Sequence, residues 1–293
     1  MSGRDLSLTL CGVRLRNPVL AASGTFGYGL EFASLLDLNE LGGLVTKGLS
    51  REPIRGNPSP RLWHTEGGMM NSVGLQNVGV RAFITEKLPK LRAYRVPVFA
   101  NVFGYAIEDY VEVVRALEDA EGIAGYELNV SCPNTKKGGI FFSSDPVLLA
   151  EVVGRVKSIA RRPVIVKLSP NVARIEPFAQ AAEAAGADAV SLINTVVSYA
   201  IDAVTGKPRI AAGLAGLSGP AIKPFALRLV KETVAAVKIP VIGIGGIANA
   251  HDAAEFLVAG ATAVEVGTAT FIDPRAPVRI ARGLEKLAWK MKQ

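Results

Sequence analysis

Cysteine and histidine are scarce in this sequence, with two of each among 293 residues. Cys11 and Cys132 are too few for a disulfide framework and show no metal-ligand spacing, which fits a reducing compartment and leaves any metal cluster to a partner. Long apolar runs are missing too. No stretch approaches the roughly 18 residues that cross a bilayer, and the opening MSGRDLSLTLCGVRLRNP lacks the unbroken apolar core of a signal peptide. The expectation is a cytoplasmic chain with no membrane association. The net charge is +7, yet Lys and Arg are scattered, with no long basic run and no basic stripe interleaved with aromatics. That argues against nucleic-acid binding and leaves the excess as a mild attraction for anionic ligands.

What is present is a large apolar fraction, 49% of residues, with 20% charged, the mix of a folded domain with a sizeable core. Short, nearly continuous apolar runs bounded by Gly and Pro recur eight times: PVLAAS (18–23), LGGLVTKG (41–48), PVFANVFG (97–104), GYELNVSC (125–132), PVIVKLS (163–169), ADAVSLINT (187–195), PVIGIGG (240–246) and ATAVEVGT (261–268). Runs that do not alternate are strands of a parallel sheet covered on both faces. Segments of helical spacing lie between them, such as AIEDYVEVVRALEDA, DPVLLAEVVGRVKSIA and ANAHDAAEFLVAG. Eight alternating units favour an α/β fold of the (β/α)8 TIM-barrel type, one catalytic domain over residues 1–293. LSLTLCGVRLRN alternates around a Gly turn, which predicts an N-terminal hairpin plugging the barrel's bottom, with Cys11 structural. Three connections, 49–76, 133–145 and 196–219, are long and leave the C-terminal ends of strands, where this fold keeps its chemistry. They are candidate lids and walls.

The seventh and eighth strands end in GIGGI (243–247) and VGTATF (266–271). Glycines there let backbone N–H groups approach an anion, and a helix N-terminus adds its dipole. Gly245, Gly246, Gly267 and Thr268 are therefore candidate phosphate ligands, a pattern that a phosphosugar satisfies as well as a cofactor. Strand four ends in NVSCPN (129–134). A thiol there is able to act as nucleophile or base; with His64 in a distant loop and His251 at a helix start, no dyad forms, and Cys132 is cast as a proton acceptor. Lys47 and Lys167 also stand at strand ends, where an inward lysine is costly unless an anion meets it. A ligand anion explains them better than a structural one. Asn101, Asn129 and Asn194 add amides, and the set suits a planar molecule rich in donors and acceptors.

The ordered series NPVLAASGTFGYG (17–29), TKGLS (46–50), GNPSPRLWHTEGGMMNSVGLQN (56–77), NVSCPN, VKLSPNV (166–172), LINT (192–195), GLSGPAIKP (216–224), IGIGGI (242–247) and VGTATF resembles the class 1 dihydroorotate dehydrogenases across almost the whole chain. The resemblance implies an FMN flavoprotein of pyrimidine biosynthesis, with the phosphate on Gly219, Gly245, Gly246, Gly267 and Thr268. Ser23, Lys47, Gly48, Asn101, Asn129, Lys167 and Ile193 occupy the positions that touch the flavin ring and ribityl chain. It implies dihydroorotate bound by Lys47, Asn71, Ser72, Val73, Gly74, Leu75, Asn129, Asn194 and Thr195, and oxidised to orotate with Cys132 as base. Within class 1, PNTKKGGIFFSSDP after the cysteine is closer to the NAD-dependent branch. That branch pairs the catalytic chain with an iron–sulfur flavoprotein carrying FAD and a 2Fe-2S cluster, in a heterotetramer of two catalytic and two electron-transfer subunits.

Two departures, Ser198 with Tyr199 after LINT and Ala215 where Gly is expected, bear on loop packing and partner contacts and not on the reaction. Rival readings are a dihydropyrimidine dehydrogenase, whose substrate lacks the carboxylate, a tRNA dihydrouridine synthase, which needs a basic extension, and a non-catalytic barrel scaffold. Lys47 with NSVGL favours the acid, and a scaffold has no need of costly polar groups in a pocket.

Overall fold

The computed structural model describes residues 4–131 and 142–289. Strands Leu8–Leu10 and Val13–Leu15 pair antiparallel around Cys11 and Gly12, whose φ angles of 49° and 83° are the left-handed values a two-residue hairpin loop favours. Cys11 Sγ donates to the Asp188 carbonyl at 3.2 Å, and burial together with the nearby Asp188 charge pushes its thiol up to about 11. This cysteine is structural.

Eight parallel strands follow: Val19–Ala21, Gly43–Val45, Val98–Val102, Gly125–Asn129, Val164–Lys167, Ala189–Leu192, Val241–Ile244 and Ala263–Val266. Each pairs with the next, and the eighth pairs with the first, so the sheet closes into a (β/α)8 barrel. Leu20, Val45, Phe99, Ile165, Ala189, Ile242 and Ala263 fill the interior, and the hairpin's Leu10 and Leu15 pack onto them from below. On the fourth strand the corresponding position is Gly125, where a Cβ would press on the Phe99 ring at 3.0 Å. Side chains on a strand alternate with period two. Two residues beyond this apolar tier, the interior therefore carries Lys47, Asn101, Glu127, Lys167, Ser191 and Glu265, a polar tier at the barrel's C-terminal mouth.

Helical segments follow strands two to eight: 79–91, Ile107–Glu118, Pro146–Lys157, Glu176–Ala184, Lys223–Ala236, Ala250–Ala259 and Ala276–Lys286. The alternation is not complete. Between strands one and two stand only single turns, Leu30–Phe32 and Leu38–Glu40, because Gly24, Gly27 and Gly29 adopt φ of 87°, 52° and 88°, which no right-handed helix accommodates. Two of the long connections are also more ordered than walls. Val196–Tyr199, Leu214–Ser218, Gly68–Asn71 and Leu62–Thr65 form a four-stranded antiparallel sheet, built from chain that leaves the C-terminal ends of strands two and six. Most of the third connection, with Cys132, lies outside the described residues.

Candidate functional site

The polar tier is held by hydrogen bonds across four strands. Register sets Asn101 beside Glu127, and Lys167 beside both Asn129 and Ser191. Glu127 accepts from Asn101 Nδ2 at 2.6 Å, from Ser191 Oγ at 2.8 Å and from Lys167 Nζ at 3.3 Å. Burial works against the Glu127 charge, but Lys167 and these donors outweigh it and hold the carboxyl below its usual range. Glu265 stands 3.5 Å from Lys167 Nζ. Lys167 itself is buried, which disfavours its charge, yet the two carboxylates raise it above an ordinary lysine. The acidic partners of Lys167 are thus internal, which corrects the expectation of a ligand anion there. Both glutamates escaped notice because they sit inside apolar runs, in GYELNV and TAVEVG; their inward phase, in step with Asn129 and Gly267, was the available signal.

Lys47 is different. It is half-buried, with its backbone N–H on the Gly27 carbonyl. Burial first, and then the positive charge of Arg61, depress it below an ordinary lysine, with the negative charge of Glu31 opposing. Among the described residues it forms no ion pair. A half-buried cation without a counterion is a ready partner for an anionic ligand.

Around these cations the structure gathers amides. Asn194 Nδ2 donates to Asn129 Oδ1 at 3.3 Å, and Asn194 Oδ1 accepts from the Thr195 backbone at 2.8 Å. Asn71 faces Gly216 in the four-stranded sheet, and a Cβ on Gly216 would collide with Thr195, so Asn71 and Thr195 flank one point. Ser72, Val73, Gly74 and Leu75 follow Asn71 in a loop tied to residues 57–61: Asn57 N donates to the Val73 carbonyl and Asn57 Nδ2 to Ser72. Gly74 and Leu75 both carry positive φ, 73° and 57°.

The glycines form a separate group. Gly245 and Gly246 have φ of 125° and 74°. A Cβ on Gly246 would come within 2.9 Å of the Lys223 backbone, and one on Gly245 within 3.4 Å of Ile193. Gly219, at φ 106°, opens the turn into helix Lys223–Ala236, and Thr268 Oγ1 donates to Ser218 Oγ at 2.8 Å, tying the connection after strand six to the end of strand eight. Gly267 borders Ala22, the residue before Ser23. Helices Lys223–Ala236 and Ala250–Ala259 start beside these glycines, pinned to each other by Lys223 Nζ on Asp252 and Glu255 at 2.7 and 2.8 Å. The cradle fits a phosphate. On the ring side, buried Asn101 Oδ1 has no donor among the described residues and lies 3.0 Å from where a Gly48 Cβ would stand. It is an acceptor suited to a donor of a bound ring.

A barrel mouth with a phosphate cradle on one side and a cation among amides on the other is where comparison with known proteins becomes informative. The family model described as Dihydroorotate dehydrogenase matches residues 5–288. The chain belongs to the dihydroorotate dehydrogenase family. It is an oxidoreductase of pyrimidine biosynthesis. A putative dihydroorotate dehydrogenase A (fumarate) of Solibacter usitatus (strain Ellin6076) is 70% identical over 282 residues, 96% of this chain and 93% of the relative. The dihydroorotate dehydrogenase B (NAD(+)) catalytic subunits of Geobacter sp. (strain M21) and Geotalea uraniireducens (strain Rf4) are 54% and 55% identical, covering 98% and 97% of this chain and 94% and 93% of theirs. The relatives thus divide between fumarate and NAD in their names. His64, on strand Leu62–Thr65, and His251, in the first turn of helix Ala250–Ala259, are exposed, and among the described residues no helix is long and apolar enough to cross a membrane.

Proposed function

We propose that this dehydrogenase oxidises dihydroorotate at the barrel mouth, with FMN bound across the polar tier and electrons passing to NAD through an iron–sulfur flavoprotein partner. The observation that carries the substrate assignment is Lys47, a half-buried cation at the C-terminal end of strand two, the same end of the barrel at which Asn129 and Asn194 stand. It supports recognition of a planar ring bearing a carboxylate, since a charged donor meets the carboxylate and amides meet the ring's N–H and C=O groups.

Bound FMN would supply the hydride acceptor. The backbone N–H groups of Gly219, Gly245, Gly246 and Gly267, with Thr268, hold its phosphate. Ser23, Gly48, Asn101, Asn129 and Ile193 would border its ring and chain, and Lys167 would offset negative charge developing on the reduced flavin. Lys47 binds the substrate carboxylate, and the Asn71–Leu75 loop closes over the substrate. Cys132, assigned by resemblance, takes the proton from carbon 5 as the hydride departs from carbon 6, leaving orotate.

The NAD branch is supported by the stretch 133–145 and by relatives named as NAD-dependent catalytic subunits; by analogy with that branch the assembly is two catalytic and two electron-transfer subunits. The 70% identical relative named for fumarate favours a second reading, in which the chain works without a partner. Turnover of the purified chain with fumarate, compared with NAD in the presence of the partner, separates them. Turnover with NAD only alongside the partner supports the first reading, and efficient turnover with fumarate alone refutes it. For the substrate, Lys47→Met is expected to lose dihydroorotate affinity while gaining nothing for dihydrouracil. Unaltered dihydroorotate affinity would remove Lys47 from its role.

A further inference from the structure

Besides half-buried Lys47, the described residues of the barrel's polar tier include two carboxylates, Glu127 and Glu265, and one ammonium, Lys167, all withdrawn from water. Glu127 is fully buried, and its three donors meet the needs of an ionised carboxylate. Glu265 is 1% exposed, and among the described residues neither of its oxygens has a donor in hydrogen-bond geometry. An ionised carboxylate there surrenders its hydration, at a cost of several kcal/mol, for no hydrogen bond among the described residues and only a share of Lys167 at 3.5 Å. Lys167, the buried cation of the cluster, is shared between Glu127 at 3.3 Å and Glu265 at 3.5 Å, so two ionised carboxylates would leave the trio with a buried net charge of minus one. One proton removes it. As a neutral acid Glu265 also becomes a donor, and a proton shared toward Glu127 would help keep that group ionised.

We propose that the Glu127–Lys167–Glu265 cluster carries one extra proton, held on Glu265, which makes Glu265 a positioning residue that keeps Lys167 balanced by a single carboxylate and available to the cofactor above it. The titratable groups acting on Glu265 are Glu127 from strand four and Lys167 from strand five. Its register neighbours on the flanking strands, Ile244 and Leu20, are uncharged. Burial and the Glu127 charge hold its carboxyl well above the usual range, and Lys167 pulls the other way. A cofactor that gains negative charge beside Lys167 is then easier to reduce than it would be over a cluster with two ionised carboxylates. The electrochemical part rests on the FMN reading above; the proton on Glu265 does not.

The test has two readouts. The infrared difference spectrum of wild type against Glu265→Gln, taken at neutral pH, is expected to contain the carbonyl stretch of a protonated carboxylic acid. A difference showing only an ionised carboxylate would overturn the proposal. With FMN bound, the midpoint potential of Glu265→Gln is expected to match wild type at neutral pH, because the amide replaces a neutral group. The wild-type potential should fall below the variant's as rising pH ionises Glu265. A variant potential already higher at neutral pH would mean that a real negative charge had been removed, and would sink the idea. If the variant does not fold, the wild-type spectrum decides alone. A protonated-carboxyl band persisting at neutral pH, above the ~4.3 of an ordinary glutamate, and fading only in alkali is expected, and no such band refutes the assignment. Failure of both proteins to bind FMN would count against the flavin reading, while the infrared band would still report on the proton.

Discussion

Two glycine substitutions separate what the cradle does for folding from what it does for binding. At Gly246 the φ of 74° is left-handed, which costs a residue with a Cβ roughly 1–2 kcal/mol. The added methyl would also stand 2.6 Å from Lys223 Cβ and 2.9 Å from that residue's N and Cα. Lys223 cannot retreat freely, because its ammonium is anchored on Asp252 and Glu255; overpacking of this kind adds roughly 1–3 kcal/mol. Gly246→Ala should therefore lose about 2–5 kcal/mol of stability along with FMN affinity. At Gly267 no left-handed angle is required, and the nearest atoms to an added Cβ are Ala22 Cβ at 3.6 Å and Thr25 Cγ2 at 3.8 Å, ordinary contacts. Gly267→Ala should leave the stability of the FMN-free protein unchanged within about 0.5 kcal/mol. Its methyl holds the phosphate off the backbone, and loss of one charge-assisted hydrogen bond, about 1.5–3 kcal/mol, weakens FMN roughly ten- to a hundredfold. Thermal melts of the FMN-free proteins and FMN titrations followed by quenching of flavin fluorescence measure both. Wild-type FMN affinity in Gly267→Ala, or wild-type melting in Gly246→Ala, would refute the reasoning for that position.

Further expectations follow from the same geometry. Because Lys47 is depressed in the free protein and only its charged form pairs with a carboxylate, dihydroorotate affinity should be full below the Lys47 pKa and decline as pH rises through it, earlier than the ~10.4 of a free lysine. A pH-independent affinity over that range, or one that rises, contradicts the role. Cys132→Ala should keep FMN but slow its reduction by dihydroorotate roughly 10²–10⁴-fold at neutral pH, the usual scale of general-base effects; stopped-flow rates near wild type would remove the thiol from the reaction. Leu10→Ala at the barrel's closed end should cost about 2–5 kcal/mol in denaturant unfolding with FMN affinity preserved, and weakened FMN binding would mean that the hairpin is coupled to the mouth.

Much of the architecture was legible because a closed parallel barrel writes itself as apolar runs. All eight strands fall where such runs were read, and Leu10 and Leu15 take the plugging positions that alternation in the hairpin predicts. The missing first helix was written too, in Gly24, Gly27 and Gly29, but glycine spacing says where a helix cannot form and not what replaces it. The four-stranded sheet pairs Gly68–Asn71 with Leu214–Ser218 across some 145 residues, and no local pattern reports a partner so remote; only the Leu62–Asn71 hairpin, with its Glu66-Gly67 turn, left a signal. In the site, the mouth gathers the lysines, amides and glycines because they share strand ends. Lys167 was read for a ligand anion because its phase shows it faces inward, whereas its partners depend on which strands the closed barrel sets opposite it.

The central claim is that this chain, loaded with FMN, takes a hydride and a proton from dihydroorotate. Anaerobic mixing of the FMN-loaded protein with L-dihydroorotate, with flavin absorbance and orotate followed together and dihydrouracil as control, tests it most directly. Bleaching by dihydroorotate with one orotate formed per flavin, and none by dihydrouracil, is the expected result. Bleaching by dihydrouracil alone, or a flavin that stays oxidised with both, would contradict the account.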